Sequence, residues 1–266
     1  MKLSVIMAVY NNAPTLQQAV NSILKQTFKD FQFIIVNDVS TDQSEQILNQ
    51  LAKKDKRIKL INNKAKLGLT KSLNKALKLV KTKYIARMDG DDIALPKRFE
   101  KQIDYLNKHP QIGLLGTAVY LINDKDKQIG LKRYSSNHKV LRKKVLHYCP
   151  FIHPTWILRR SVLLEVGEYN QNFPYAQDYE LILRIASKFP TANLPEPLLK
   201  YRVDSSVAIS LKNLKKQEWL ALKARFLALV NYSYPLSESW KLIKPALSFL
   251  VPVSIKKIIY RQFYWK

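Results

Sequence analysis

The first ninety residues alternate short apolar runs with amphipathic helical stretches, and that alternation leaves few folds open. Leu3–Val9 is a continuous apolar strand of the kind buried on both faces. Residues 13–26 follow with Leu16, Ala19, Val20, Ile23 and Leu24 on one helical stripe. Residues 31–36 form a second strand that ends at Asn37-Asp38-Val39-Ser40-Thr41-Asp42, after which Ile47, Leu48 and Leu51 mark a helix. Asp42, with Glu45 three residues on, reads as the capping signal of that helix. Residues 57–61 make a third strand. Residues 69–80 make a helix with Leu73, Ala76, Leu77 and Val80 inward and Lys71, Lys75, Lys78 and Lys81 outward. Lys83-Tyr84-Ile85-Ala86 is the fourth strand. Strands and helices at this spacing imply βαβ units, hence an α/β fold with a mostly parallel sheet and right-handed crossovers.

The fourth strand delivers Arg87-Met88-Asp89-Gly90-Asp91-Asp92, with three carboxylates in four positions. Carboxylates this close repel, and a hard divalent cation or basic partners are the usual remedy. The plainer reading is that Asp91 or Asp92 caps a helix opened by Pro96. Capping explains one aspartate and strains to explain three. In open parallel sheets ligands sit beyond the carboxyl ends of the strands. The polar residues there are Tyr10-Asn11, Asp38, residues 62–68 and the acidic run, so one crevice collects all four. Each alone has a turn reading: Asn11-Asn12 as a turn, Asp38 as an Asx turn, Gly68 as the glycine that opens a helix.

Charge narrows the partners without choosing among them. Forty-five Lys and Arg against 20 Asp and Glu give +25, which calls for something anionic: nucleic acid, nucleotide phosphates or an acidic membrane surface. The single cysteine, Cys149, excludes an intrachain disulfide framework and reads as a plain buried thiol. The apolar run after Met1-Lys2 is too short for a signal peptide and has no cleavage pattern, and no window approaches the ~18 apolar residues of a spanning helix. A soluble or peripheral protein is expected.

Four ordered stretches carry a resemblance. Ser4-Val5-Ile6-Met7-Ala8-Val9-Tyr10-Asn11, Val36-Asn37-Asp38-Val39-Ser40-Thr41-Asp42, Leu67-Gly68-Leu69 with Asn74 and Ala76, and Met88-Asp89-Gly90-Asp91-Asp92 resemble the nucleotide-sugar half of family-2 glycosyltransferases of the GT-A fold. His153-Pro154-Thr155, Val166-Gly167-Glu168-Tyr169 and Ala176-Gln177-Asp178-Tyr179-Glu180-Leu181 continue the likeness to about residue 205. The resemblance implies a GT-A domain over residues 1–205, a Rossmann-like sheet flanked by helices. Residues 1–95 would be its nucleotide-sugar half and residues 96–205 its acceptor half, with a helical basic extension over residues 206–266.

It also implies roles. Ala8, Tyr10, Asn11 and Asp38 would hold uracil and ribose, with Lys66, Gly68, Asn74 and Gly90 in the same donor pocket. Asp89 and Asp91 match the Asp-X-Asp motif that holds ribose and a Mg2+ or Mn2+ on the diphosphate, Asp91 being the preferred direct ligand. Asp178 matches the position of the base that deprotonates the acceptor hydroxyl; standing alone it would read as a helix cap. Gln177 replaces the glutamate common in the family just before it. One base opposite a metal-held leaving group suits a single in-line displacement with inversion. His153 and Thr155 match a segment bordering acceptor or diphosphate. Tyr201-Arg202 resembles a closing-loop motif in which Arg202 contacts diphosphate, though Asp204 stands where the family has His.

After residue 206 the composition shifts. Residues 211–230 read as a helix with Trp219, Leu222, Phe226, Leu229 and Val230 apolar, followed by shorter helices punctuated by Pro235, Pro245 and Pro252. Lysines and arginines there are opposed only by Glu218 and Glu238 and mix with Trp240, Tyr260, Phe263, Tyr264 and Trp265. That mixture reads either as a surface for anionic lipid or as a tail packed on the domain or a second subunit. A polyprenyl-linked glycan acceptor, as similar enzymes use for surface polysaccharide, favours lipid and a cytoplasmic, peripheral location at the inner face of the plasma membrane. Two rivals stand beside this. A nucleic-acid-binding protein would account for the charge but lacks a recognisable motif, and a nucleotidyltransferase would need a Gly-rich basic loop where Tyr10-Asn11-Asn12-Ala13 stands.

Overall fold

The computed structural model describes residues 1–203, 213–252 and 256. Asp204, Lys212, Lys257, Tyr260, Arg261, Phe263, Tyr264, Trp265 and Lys266 lie outside the described residues.

Strands β1 (Leu3–Val9), β2 (Phe31–Asn37), β3 (Ile58–Asn62) and β4 (Tyr84–Arg87) alternate with helices α1 (Ala13–Leu24), α2 (Ser44–Lys54) and α3 (Leu69–Leu77). After the acidic turn come β5 (Ile93–Ala94), α4 (Arg98–Lys108), β6 (Leu114–Ile122), β7 (Gln128–Lys132) and α5 (His138–Lys144). A 3-10 turn at His153–Thr155, β8 (Ile157–Arg159), α6 (Arg160–Val166), α7 (Gln177–Lys188) and β9 (Thr191–Arg202) complete the sheet domain. Helices α8 (Leu214–Asn231) and α9 (Ile243–Leu250) follow.

The strands form one sheet in the order β3-β2-β1-β4-β8-β6-β9-β5, with β7 on β6. The β3-β2-β1-β4 half is wholly parallel. Antiparallel pairs enter at β4 with β8, β8 with β6, β6 with β7 and β5 with β9, while β6 and β9 run parallel over nine partners. Parallel ladders thus carry most of the pairing, and the sheet passes through residue 95 without a break.

Burial on both faces explains why β1 is uninterrupted. Leu3, Val5, Met7 and Val9 join one core with Leu16, Ala19, Val20 and Ile23 of α1 and Phe99, Ile103 and Leu106 of α4. Ile6 points the other way, into a core with Leu73 and Ala76 of α3 and Leu181, Ile182 and Ile185 of α7. The period of two is that of a strand, and each such side chain contributes roughly 1.5–3 kcal/mol of burial.

Two capping expectations are corrected. Helix α2 begins at Ser44 rather than beside Asp42, and the Asp42 carboxylate accepts from the Ser44 amide (2.9 Å) and the Ala13 amide (3.0 Å), tying two helix starts together. No aspartate caps α4. Lys97 precedes it without a side-chain cap, and Ile93–Ala94 pairs with Lys200 and Leu199 before the helix starts. The turn holding three carboxylates is therefore pinned between two strands.

The extension packs only partly on the domain. Ala224, Ala228 and Leu229 of α8 join the α7 core, and the buried Arg225 donates to the Leu146 carbonyl (2.8 Å) and the His147 carbonyl (2.9 Å). Lys241 and Lys256 are likewise buried, on the Lys143 carbonyl and on Glu218. These three cations, expected on a lipid-facing surface, are used inside the chain.

Candidate active site

Because β1 and β2 are parallel neighbours, the segments leaving them meet at one rim. The Asn11 carboxamide oxygen accepts from the Thr41 amide (2.8 Å), its amide group donates to the Thr41 hydroxyl (3.1 Å), and its backbone amide donates to the Ser40 hydroxyl (3.1 Å). Asp38 is buried; Oδ1 accepts from Asn63 Nδ2 (2.7 Å) and the Leu67 amide (2.8 Å), and Oδ2 accepts from the Gly68 amide (2.7 Å). Gly68 has φ +84°, which an L side chain rarely adopts, and this shape turns residues 63–68 around Asp38 and into α3. A carboxylate offers about four acceptor positions and three are used. Tyr10 is exposed, with the Lys66 ammonium 3.5 Å from its ring centroid, and Ala8 is half-buried at the end of β1.

Asn74, expected in the donor pocket, is hydrogen-bonded into the framework. It is buried, its carboxamide accepting from the Tyr169 amide (3.1 Å) and donating to the Tyr169 carbonyl (2.7 Å). Both of its groups are spent holding the segment that leads to α7.

At the end of β4 the buried Arg87 donates to the Met88 carbonyl and ion-pairs with Asp89. Behind it Arg98 is fully buried, donating to the Arg87 carbonyl (2.9 Å) and to Gln102 Oε1 (3.1 Å); burial pulls its pKa down to about 9. Asp91 is pushed up to about 6 by burial and the adjacent Asp89 charge, with Arg87 and Arg202 acting the other way. Asp92 is buried and raised further, by burial and then by Asp91 and Asp89. Its Oδ1 accepts from the Arg202 amide (2.8 Å), and its Oδ2 is buried without a partner among the described residues. Gly90 is closely approached: a Cβ would stand 3.1 Å from Asn12 Cγ, so the Asn12 side chain would have to shift.

The three carboxylates are therefore not equivalent. Asp89 is held by Arg87 and Asp92 by the Arg202 backbone, whereas the Asp91 carboxylate, half-buried, has no hydrogen bond from another residue among the described ones. No trio of His, Cys, Asp or Glu converges on a metal cage among the described residues. One or two hard carboxylates with open positions fit Mg2+ or Mn2+, which take few protein oxygens and complete their shell with water and phosphate.

Across from the turn, Asp178 lies in the first turn of α7 behind Ala176, whose φ of 73° bends the chain into the helix. Burial first, and then the Asp89 charge, raise the Asp178 pKa, while Arg87 opposes them. Its Oδ1 accepts from the Tyr179 amide (2.8 Å). Burial first, and then the Asp92, Asp89, Asp91 and Asp178 charges, push the Tyr201 phenol well above its usual pKa.

The side chains of His153, Thr155 and Arg202 are hydrogen-bonded to the framework. His153 Nε2 and the Tyr169 hydroxyl are hydrogen-bonded at 2.7 Å, and burial holds the imidazole neutral, well below its usual pKa. Thr155 is fully buried, donating to the Ile152 carbonyl (2.6 Å) and accepting from the Thr117 amide (3.2 Å). The Arg202 guanidinium donates to the Asp91 carbonyl (2.9 Å), the Asn123 carbonyl (2.8 Å), the Asp126 carboxylate and Gln18 Oε1 (3.5 Å). It thereby clamps the acidic turn to the tip of the β6–β7 hairpin. Arg87, Arg98, Tyr169 and Tyr201 were not singled out by sequence reasoning as site residues. Arg98 and Gln102, four apart on an apolar helix face, were the one readable sign of a buried polar pair.

Comparison with known proteins bears on this arrangement. The sequence pattern described as glycosyl transferase family 2 matches residues 4–167. An uncharacterized glycosyltransferase of Haemophilus influenzae is 35% identical over 225 residues, 81% of this chain and 70% of that one. The amylovoran biosynthesis glycosyltransferase AmsE of Erwinia amylovora is 30% identical over 268 residues, 97% of this chain and 98% of that one. WfaP of Escherichia coli, named as a UDP-Glc:alpha-D-GlcNAc-diphosphoundecaprenol beta-1,3-glucosyltransferase, is 33% identical over 220 residues, 81% of this chain and 83% of that one. Among solved structures, S. aureus TarS 1–349 in complex with UDP superposes with a TM-score of 0.71 at 18% identity, covering 94% of this chain and 71% of that one. The mannosyltransferase PcManGT of Pyrobaculum calidifontis, in complex with GDP-Man and Mn2+, gives 0.59 at 14% identity, covering 100% of this chain and 88% of that one.

Proposed function

This chain belongs to glycosyl transferase family 2, and on that premise we propose that it moves a sugar from a UDP-linked donor to a glycan or polyprenyl-linked glycan acceptor, with inversion and with a divalent cation. The observation that carries this reading is the convergence at one rim of the Tyr10 and Asp38 loops, the half-buried Asp91 and, across from them, Asp178. Uracil would lie against Tyr10, displacing the Lys66 ammonium from the ring face and freeing it for phosphate, and its N–H would take the remaining acceptor position on Asp38. Asp91, with Asp89 beside it, would hold Mg2+ or Mn2+, which neutralises charge on the departing diphosphate. Asp178 would take the proton from the acceptor hydroxyl, burial making it a stronger base than an ordinary aspartate. UDP is favoured because TarS was solved with it and WfaP is named for a UDP donor.

A thermal-shift panel of nucleoside diphosphates and their sugars tests the donor assignment. UDP at a hundred times its Kd stabilises by about 2.7 kcal/mol, a Tm rise on the order of 5 °C for a chain of this size. The rise should require Mn2+ or Mg2+. A larger response to GDP would transfer the reading to another base, and equal shifts with chelator present would remove the cation.

The acceptor reading extends to a membrane surface at the cytoplasmic face. No helix among the described residues is long and apolar enough to cross a membrane. Helix α9 has no buried residue; Ile243, Leu247 and Leu250 form an exposed stripe, and Trp240, Phe226 and Trp219 are exposed as well. Exposed Lys215, Lys216, Lys223 and Lys244 accompany them, the pairing of apolar face and cations that suits anionic headgroups. The protein should co-sediment with phosphatidylglycerol vesicles, less so with phosphatidylcholine or in high salt. Equal partition to both lipids would remove the electrostatic part, and no partition to either would remove the surface.

A further inference from the structure

Strand register, rather than any local motif, decides where Arg202 arrives. Strand β9 runs parallel to β6 until Arg202 stands opposite Ile122, the last residue of β6 before the hairpin tip. The tip, residues 123–127, is a closed turn. The Asn123 carboxamide oxygen accepts from the Lys125 amide (3.0 Å) and the Lys127 amide (3.0 Å), and Asp126, at φ +60°, donates its amide to the Asn123 carbonyl (3.0 Å). Left-handed backbone of this kind suits aspartate and asparagine.

The carboxylate displayed by that turn joins two other elements. Asp126 Oδ1 accepts from Arg202 Nη2, and its Oδ2 accepts from Gln18 Nε2 of α1 (3.0 Å). Thr15, three residues before Gln18 and so on the same face of α1, donates its hydroxyl to the Gly90 carbonyl (3.0 Å). Arg202 in turn donates its guanidinium to the Asp91 carbonyl (2.9 Å) and its amide to Asp92 Oδ1 (2.8 Å). The contacts close into a ring: acidic turn to Arg202, Arg202 to Asp126, Asp126 to Gln18, and α1 through Thr15 back to the turn. The Arg202 side chain is 6% exposed against 43% for Asp126, so an enclosed cation takes its ion pair from a carboxylate at the surface.

We propose that Asp126 is a positioning residue for cation binding: through Arg202 it fixes the backbone of the acidic turn, and so the direction in which the Asp91 carboxylate is presented to a divalent cation. Mg2+ tolerates little departure from octahedral geometry, and removing a group that orients a metal's ligands commonly costs about 10- to 100-fold in affinity. The proposal rests on the cation reading of Asp91 and adds to it the residues that aim the ligand. A different use of Arg202, contact with the donor's diphosphate, makes the opposite prediction, because loss of Asp126 would then release the guanidinium towards phosphate.

Mn2+ titration of the full chain at saturating UDP, followed by the electron paramagnetic resonance signal of free Mn2+, tests it. UDP affinity in chelator is measured beside it by isothermal titration. Asp126→Gly takes the left-handed backbone without strain and removes the carboxylate, whereas Asp126→Asn keeps an oxygen for Arg202 and removes only the charge. The glycine variant should bind Mn2+ about tenfold more weakly and the asparagine variant within about threefold of wild type. UDP affinity in chelator should be the same in all three proteins, which also shows that they are folded. A glycine variant that takes up Mn2+ like wild type would overturn the proposal, whatever its Tm. An asparagine variant as weak as glycine would do so too, since the effect would then be one of charge at a distance. So would a glycine variant whose UDP affinity in chelator changes: a fall would mean a hairpin that supports the whole rim, and a rise would mean a guanidinium released to the diphosphate. A wild type that takes up no Mn2+ with UDP bound would instead sink the cation reading beneath it.

Discussion

Asp178→Asn should reduce transfer by about 10³-fold while leaving UDP affinity unchanged. Positioned general bases contribute roughly 10² to 10⁴ in rate, so the loss corresponds to about 4 kcal/mol in the barrier. The amide keeps the size of the side chain and can still accept from the Tyr179 amide, so the first turn of α7 is preserved while the proton acceptor is lost. Stability separates this role from a structural one. Burial raises the Asp178 pKa above its unfolded value, so its contribution to stability is complete below the ordinary carboxylate range and falls as pH rises through the folded pKa. At neutral pH the ionised side chain is therefore held at a cost, and Asn should unfold at the same or a higher temperature than wild type. A residue present only to favour the helix N-terminus would behave oppositely, losing about 0.3–1 kcal/mol with transfer intact. The acid limb of kcat/KM should likewise lie above the ordinary aspartate range. A variant that is less stable and fully active would remove the base assignment.

The parallel half of the fold was legible because its strands are buried on both faces and its helices are amphipathic; a period of two against one of 3.6 survives without knowledge of packing. Strand β5 was not legible. Two residues, Ile93 and Ala94, cannot show a period, and their pairing with β9 is set by chain more than a hundred residues away. The site divided along the same line. Asp38, Asp91 and Asp178 lie where strand ends and helix starts put them, and those places are local. The hydrogen bonds of Asn74, His153, Thr155 and Arg202 go to Tyr169, Ile152, Thr117, Asp91, Asn123 and Asp126, partners no local pattern reveals. Arg87 was invisible for the complementary reason: a cation ending a buried strand makes sense only once three carboxylates are known to fold back against it.

Asp91→Ala should abolish transfer and, with it, the part of UDP binding that depends on Mn2+ or Mg2+. Of the three carboxylates in the turn, Asp89 is paired with Arg87 and Asp92 is buried on the Arg202 amide, which leaves Asp91 as the one without a hydrogen bond from another described residue. With a pKa of about 6 before any cation arrives, it is partly protonated in mild acid. Cation affinity should therefore weaken as pH falls through that region and level off above it, since the ligand must be deprotonated to bind. The sign for the metal-free protein is the reverse: a raised folded pKa means that ionisation of Asp91 costs stability as pH rises from about 4 to 6, and alanine removes that cost. Metal-free Asp91→Ala should then match or exceed wild type in Tm at neutral pH but gain nothing from Mn2+ and UDP together. Isothermal titration of UDP with and without Mn2+, in wild type and variant, reads both effects. If the variant kept the cation-dependent component, the ligand would be Asp89, and the Arg87–Asp89 pair would have to open to release it.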